Sequence, residues 1–334
     1  MQFRTTIEIK PFEKKIEHSQ SILSLGSCFA SNVAERLSRA KFSITSSPTG
    51  ILFNPESIAS AIDRFDAVAR GDSGAMPIAE ELSYGNGRWF SFDFHSDFSR
   101  ADAAEALTVM REAVSVGATA LAQAHTIIIT FGSAFVYRLN TNGKVVGNCH
   151  KQPDKTFRRL MLNAEAFVEE CRGVLKKCRE VNPNLKVLFT VSPIRHAKDG
   201  MHGNQLSKAT LLLAIDEICR TCPDCFYFPS YEIIMDELRD YRFYADDMIH
   251  LSSKSVEYIW ECFSRCYFSK ETQAVMKEWM EIKKAIDHKP FRPDSDAYRA
   301  FLSQIVLKIM QMKEKFPYLE VQKEIELCES RLKL

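Results

Sequence analysis

The sequence contains no apolar run that approaches the roughly 18 residues needed to span a bilayer. It also lacks an excess of charge, because 44 Lys and Arg against 43 Asp and Glu leave a formal charge of +1 at pH 7. Proteins that bind nucleic acids or anionic membranes use a positive excess for that purpose. We therefore expect neither a nucleic-acid partner nor a membrane partner.

A secretion signal and a complete metal-binding motif are also missing. Met1–Lys10 has no apolar signal-peptide core, so we expect a cytoplasmic protein whose ten cysteines remain free thiols. Cys222 and Cys225 form a CxxC pair, but the second pair that zinc and iron–sulfur sites usually need does not follow. His196 and His202 lie six positions apart rather than at helical i, i+4 spacing. We predict neither a metal nor another cofactor.

The sequence does contain a regular alternation of short apolar runs and amphipathic stretches. Ser21–Leu25, Thr126–Phe131 and Leu185–Val191 are typical of buried parallel strands, and a stretch with helical spacing comes before the next strand. Strands that alternate with helices predict an α/β fold. The expected architecture is a doubly wound, flavodoxin-like parallel sheet with helices on both faces.

Two insertions and one extension accompany the predicted sheet. Glu81–His95 and Phe135–Val146 each contain a Gly-bearing turn and predict β-hairpins, and Leu160–Val181 is predicted as a helix. Long, charged, amphipathic helices follow, which divides the chain into an α/β domain, residues 1–268, and a helical extension, residues 269–334. Such helices pack on a core or on a partner, so the extension is a candidate surface for homo-oligomer formation.

One turn offers a place for a nucleophile. Gly26, Ser27 and Cys28 lie between the first strand and a helix that includes Ala30–Leu37. In an open α/β sheet this turn lies at the carboxyl end of the strand, where ligands bind. Helix N-termini present free N–H groups and a partial positive charge, which favours a thiolate. Cys28 is therefore the first candidate for catalysis.

The string Gly26–Ala30 resembles the signature of the GSCFA family, a bacterial group similar to the SGNH (GDSL-like) hydrolases. The resemblance covers roughly residues 20–255. SGNH enzymes end this strand in Gly-Asp-Ser, where the serine is the nucleophile, so the resemblance implies an SGNH-type fold with Cys28 as the nucleophile. Ser27 then occupies the position of the family aspartate. It remains the alternative nucleophile if Cys28 is buried.

A second motif implied by the same resemblance is the DxxH of Asp247 and His250. In SGNH enzymes this histidine is the general base and the aspartate orients it. A carboxylate this close in sequence can reach the ring nitrogen that does not face the nucleophile. The alternative interpretation is that His250 only caps the helix that follows.

The oxyanion donors are less complete. The resemblance implies the N–H of Cys28, the N–H of Gly50 and an asparagine side chain, but Ala134 occupies the asparagine position. Asn148 or Ser133 would have to replace it. The alternative is that the glycine before Ser133 serves close packing only.

Four basic residues near predicted strand ends are candidates for binding substrate: His150, Arg195, His196 and His202. Hydrogen bonds within long loops are the alternative role for them. We expect an acyl-transfer enzyme, an esterase, acyl hydrolase or acyltransferase, and fold-level analogy favours an acylated carbohydrate as substrate. The alternative is a non-catalytic binding or assembly protein that uses the helical extension as its interaction surface.

Overall fold

The computed structural model describes residues 4–10 and 12–333. They divide into two compact units. The first comprises residues 4–10, 21–34 and 44–263, and the second comprises residues 12–20, 35–43 and 264–333.

The first unit is built on a five-stranded parallel sheet. Its strands are β1 (Ile22–Gly26), β2 (Ile44–Ser46), β5 (Thr126–Phe131), β9 (Lys186–Val191) and β10 (Cys225–Phe228). Their spatial order is β10-β9-β5-β1-β2, so the second strand of the chain lies at one edge and the first lies inside it. This 2-1-3-4-5 order is that of flavodoxin-like, doubly wound sheets. The predicted α/β class is confirmed.

In the part of the chain that the structure describes, ten α-helical segments accompany the strands, besides short 3-10 turns. They are α1 (Cys28–Arg39), α2 (Pro55–Ala69), α3 (Ala103–Gln123), α4 (Ala164–Val181), α5 (Gly200–Thr221), α6 (Ser230–Glu232, continued by a π-helical turn, Ile233–Glu237), α7 (Ser253–Tyr267), α8 (Lys270–Ile286), α9 (Asp296–Lys315) and α10 (Gln322–Leu332). The residues at the start of α2 explain why the helix begins there. Asn54 caps α2 by accepting a 2.9 Å hydrogen bond from the Ser57 N–H. Within the described ranges, every helix is too short or too polar to cross a bilayer.

The central strands are buried on both faces. Every residue of β1 and β5 is buried, as expected for parallel strands that helices cover on either side. Leu25 and Ile129 belong to the core that α2, α3, α4 and α5 form on one face. On the other face Phe228 of β10 contacts Phe263 of α7, with 5.2 Å between ring centroids. The continuous apolar runs in the sequence reflect this double burial.

Both predicted hairpins are confirmed, and the second gains a third strand that was not predicted. Strands β3 (Ser83–Gly85) and β4 (Arg88–Phe90) form a hairpin. The second insertion is a three-stranded antiparallel sheet, in the order β7-β6-β8, made of β6 (Phe135–Leu139), β7 (Val145–Val146) and β8 (Phe157–Met161).

The predicted helical start at Leu160 was therefore wrong. Leu160 lies in β8 opposite Val136 of β6, and α4 begins only at Ala164, after its N-cap Asn163. Pairing with a strand some 20 positions earlier in the chain outweighs the helical spacing of the apolar residues, because β-pairing depends on neighbours that a local pattern does not contain.

The second unit has a hydrophobic core of its own. Buried side chains of α8 and α9, among them Trp279, Leu302 and Ile309, form it together with residues at the end of the chain. Trp279 also donates its indole N–H to the Arg39 carbonyl over 2.9 Å, which satisfies the one polar group of a fully buried ring.

Candidate active site

The turn after β1 lies at the point where the strand order of the sheet reverses. Gly26 is opposite Thr130 of β5, and the Ser27 N–H donates to the Thr130 carbonyl over 3.1 Å. Gly26 has a φ of 140°, and a Cβ at this position would lie 2.3 Å from the Thr130 oxygen. Only glycine therefore allows the chain to leave the sheet so close to β5. This switch point, at the carboxyl edge, is where ligands bind in such folds.

Ser27 and Cys28 have opposite environments at this turn. The Ser27 side chain is buried, and its Oγ has no hydrogen-bond partner among the described residues. Cys28 is the first residue of α1 and is exposed. The first N–H groups of a helix have no intrahelical acceptor, and no acidic residue occupies the first turn of α1. The Cys28 thiol is therefore exposed beside the positive end of a helix.

The other cysteines of the described chain are less accessible, since Cys28 alone among the ten is exposed. Burial raises the pKa of Cys171, Cys178, Cys219 and Cys225, which keeps these thiols protonated and inert. Within the described residues there is no group of three or more His, Cys, Asp or Glu side chains arranged to hold a metal ion.

Asp247 and His250 form a hydrogen-bonded pair on one short loop. Asp247 Oδ2 lies 2.6 Å from His250 Nδ1, and Oδ1 accepts from the N–H groups of Ile249 and His250 over 2.9 Å each. The hydrogen bond from the His250 side chain, and then those from the backbone, lower the Asp247 pKa to about 2. The carboxylate is therefore ionised at neutral pH. With Nδ1 engaged, Nε2 is the ring nitrogen left to exchange a proton.

His250 does not cap the following helix. That role belongs to Ser252, whose Oγ accepts from the Ser255 N–H over 3.3 Å at the start of α7. The His250 and Asp247 side chains remain about half exposed, at 52% and 47%.

The loop after β9 lies against the loop that carries His250. The Arg195 N–H donates to the Ile249 carbonyl over 3.3 Å, and His250 is close enough to contribute to the lowered pKa of His196. His196 also lies near the end of β5, because a Cβ at Gly132 would be 3.2 Å from its Nε2. The loops after β5 and β9 and the Asp247–His250 loop therefore meet at the carboxyl edge of the sheet, and Cys28 follows the neighbouring strand β1.

His196 is a neutral side chain within this arrangement. Burial, the Lys208 ammonium and the Arg159 guanidinium, in that order, lower its pKa to about 4. Its ring is 5.7 Å from that of Phe53, centroid to centroid, and the Asn204 side chain accepts from its backbone N–H over 3.0 Å. Its environment thus favours a fixed, uncharged imidazole over a proton shuttle.

A buried lysine at this edge is not among the site residues predicted from the sequence. Lys208 of α5 is 1% exposed, and its Nζ donates to the carbonyls of Gly132 and Ser192 over 2.6 Å each. It thereby ties together the first residues after β5 and β9. Burial lowers its pKa to about 7, with Asp199 acting in the opposite direction. The sequence signal was present: Lys208 shares a helical face with Asn204 and Leu211.

The lowered pKa of Lys208 predicts a pH-dependent stability. Between pH about 7 and 10.5 the unfolded chain keeps a proton that the folded chain has lost, so the free energy of unfolding rises with pH in this window. Below pH about 7 both states hold the proton and the contribution is constant. Urea unfolding of the native protein and of Lys208→Met over this range should show a difference in stability that grows by roughly 1 kcal/mol per pH unit.

The difference between the two proteins is the relevant quantity, because buried thiols and phenols titrate in the same range in both. Parallel stability curves for the native and Lys208→Met proteins would mean that the Lys208 amine titrates as it does in water.

Two of the predicted oxyanion donors are already engaged elsewhere. The Gly50 N–H donates to the Ser47 carbonyl over 2.7 Å within its own turn. The Ser133 Oγ is buried, accepts from the Phe135 N–H over 3.0 Å and pairs with the Ser207 hydroxyl over 3.2 Å. The geometry therefore does not support the predicted oxyanion roles of Gly50 and Ser133, because tertiary hydrogen bonds use the donor or acceptor that each would supply.

His150 and Asn148 hold the segment around the first insertion. His150 is buried with its Nε2 2.9 Å from the Ser91 carbonyl and 3.0 Å from that of Phe94, and burial lowers its pKa. The Asn148 Oδ1 accepts from the His150 N–H over 2.8 Å. These contacts match the alternative role of hydrogen bonding within loops.

His202 lies exposed in the first turn of α5.

Comparison with known proteins gives two matches. Residues 21–263 match the GSCFA family, and residues 279–334 match the GSCFA domain protein, C-terminal domain. No curated protein matches the chain.

Proposed function

The chain belongs to the GSCFA family, and we propose that it is an acyl-transfer enzyme, an esterase, acyl hydrolase or acyltransferase, with Cys28 as nucleophile. The observation that carries the proposal is the 2.6 Å pair of Asp247 and His250 at the sheet edge where the exposed Cys28 begins α1. A thiol, an imidazole and a carboxylate are the three groups of a nucleophilic triad. Asp247 and His250 form a hydrogen bond in this structure, and the approach of His250 to Cys28 is part of the proposal.

The proposed reaction has two steps. His250 Nε2 takes the thiol proton, and Cys28 Sγ attacks the ester carbonyl to form a thioester, while the alcohol leaves with the proton from His250. Water or a second alcohol, deprotonated by the same nitrogen, then attacks the thioester and restores the thiol. Asp247 holds Nδ1 throughout and stabilises the transient imidazolium. The Cys28 N–H, at the start of α1, is the donor we assign to the oxyanion.

Accessibility supports Cys28 over Ser27 as the nucleophile. A nucleophile must meet the substrate, and Cys28 is exposed whereas the Ser27 side chain is 5% exposed. A thiolate is also the stronger nucleophile at neutral pH.

Trapping the acyl-enzyme tests the proposal. Incubation with p-nitrophenyl acetate, acid quenching within a turnover, and peptide mass spectrometry should locate one acetyl group on Cys28. The adduct should form much more slowly in His250→Ala, which separates catalysed acylation from chemical labelling of an exposed thiol. Cys149→Ala, which removes a half-buried thiol, is the matched control and should acylate normally. Hydrolysis without any adduct on Cys28 would contradict the mechanism.

A second candidate function is binding or assembly on a hydrolase-like scaffold. The observation that favours it is the incomplete oxyanion site, with Ala134 in the asparagine position and the Gly50 N–H bonded within its turn. In that case α8, α9 and α10 would supply the interaction surface, including for a homo-oligomer. The absence of both adduct and ester hydrolysis in the trapping experiment is the result this candidate predicts.

A further inference from the structure

Arg195 is an arginine without an acidic partner beside the proposed active site. Two other arginines of the same edge and its loops have carboxylate partners: Arg159 pairs with Asp199, and Arg242 lies 3.9 Å from Asp240. Within the described ranges, no carboxylate lies within ion-pair distance of Arg195. Its charge is therefore not neutralised by the protein in this structure.

Aromatic rings hold the Arg195 guanidinium instead. Its central carbon lies 4.0 Å from the centroid of the Tyr244 ring and 5.2 Å from that of Tyr241. Tyr231 is within electrostatic range of both Arg195 and Tyr244. Stacking on these aromatic faces positions the guanidinium. Burial alone would lower the Arg195 pKa, and hydrogen bonds with the Tyr244 and Tyr241 side chains raise it. A guanidinium has five N–H donors, so those that the two tyrosines do not use can meet a planar anion.

The arginine is also partly exposed and lies next to the loop that carries Asp247 and His250. Its backbone N–H binds the carbonyl of Ile249, the residue before His250, and Tyr244 is bridged to Leu251 on the other side of the same loop. Tyr241 is 64% exposed, so the group formed by Arg195, Tyr241 and Tyr244 faces solvent on the side of Tyr241. An anion bound here would lie next to the loop whose histidine serves the reaction.

We propose that Arg195, Tyr241 and Tyr244 form a subsite for an anionic group, a carboxylate or a phosphate, carried by the ester substrate. The proposal rests on the proposed function of Cys28 and adds the substrate class. Carboxylates and phosphates accept two parallel hydrogen bonds from a guanidinium, and the charged hydrogen bonds gain strength from the absence of a competing acid. Neutral esters would leave the Arg195 charge uncompensated.

A selectivity measurement tests the subsite. The ratio of kcat/KM for mono-p-nitrophenyl succinate to that for p-nitrophenyl acetate should fall at least about tenfold in Arg195→Gln, and Arg195→Lys should restore part of it. Arg242→Gln is the matched control, since Arg242 has its own acid, and the ratio should not change. An unchanged ratio in Arg195→Gln would overturn the proposal.

A binding measurement separates this proposal from that of the reaction. Calorimetric titration of Cys28→Ala with monomethyl succinate and with inorganic phosphate should show binding of at least one anion, weakened by salt and lost when Arg195→Gln is added. The anion that binds identifies the group as carboxylate or phosphate. Anion binding that depends on Arg195 in a protein without esterase activity would support the subsite and contradict the reaction. Turnover by the native protein without Arg195-dependent anion binding would contradict the subsite alone.

Discussion

Replacing Cys28 by alanine is expected to lower kcat/KM for p-nitrophenyl acetate by about a thousandfold or more, since it removes the thiol that we propose forms the acyl intermediate. Ser27→Ala is expected to lower it less than about tenfold. The Ser27 hydroxyl is buried without a partner, so its removal takes away an unsatisfied polar group and should leave stability nearly unchanged. Steady-state kinetics of the two purified variants provide the measurement.

The two neighbouring substitutions control for each other. Both lie at the same turn, so a general disturbance of the β1–α1 connection would reduce activity in both. Equal thermal midpoints would exclude unfolding as the cause. A large loss in Ser27→Ala with activity retained in Cys28→Ala would move the nucleophile to Ser27 and require the turn to open, because Ser27 is buried.

Asp247→Asn is expected to reduce kcat by about a thousandfold or more. The carboxylate accepts from His250 Nδ1 over 2.6 Å and so leaves Nε2 unprotonated. An amide in its place can donate to Nδ1, which shifts the proton to Nε2 and removes the base. Because the Asp247 pKa is about 2, its protonation should not limit activity in the native protein until the pH falls towards that value.

The matched control is Asp246→Asn, which removes the adjacent exposed carboxylate of the same loop. Its kcat should stay within about twofold of the native value, because a screened surface charge contributes little. Similar losses in both variants would show that the charge of the loop matters, and not the hydrogen bond to His250. The pH profile of kcat/KM for each variant distinguishes the two cases.

Local features of this protein were predictable from the residues themselves. The strand, glycine turn and helix around Gly26 follow from the spacing of apolar residues within about 17 positions. Asn54 and Pro55 predict the start of α2, because they are typical of the N-cap and the first helical position. The Asp247–His250 contact is local as well, since three positions on one loop bring the two side chains together. The sequence by itself thus determined the α/β alternation, the order of the motifs and the residue types of the candidate triad.

Tertiary structure decided which polar groups are free. The Gly50 N–H and the Ser133 hydroxyl are consumed by hydrogen bonds, His150 is buried, and Lys208 connects the residues after two strands. The third strand of the second insertion likewise exists only through its pairing with β6. Each of these contacts depends on a partner distant along the chain or on the conformation of a loop. The spacing of apolar residues predicts which face of a helix or strand a residue occupies, but it does not predict which group the residue contacts on that face.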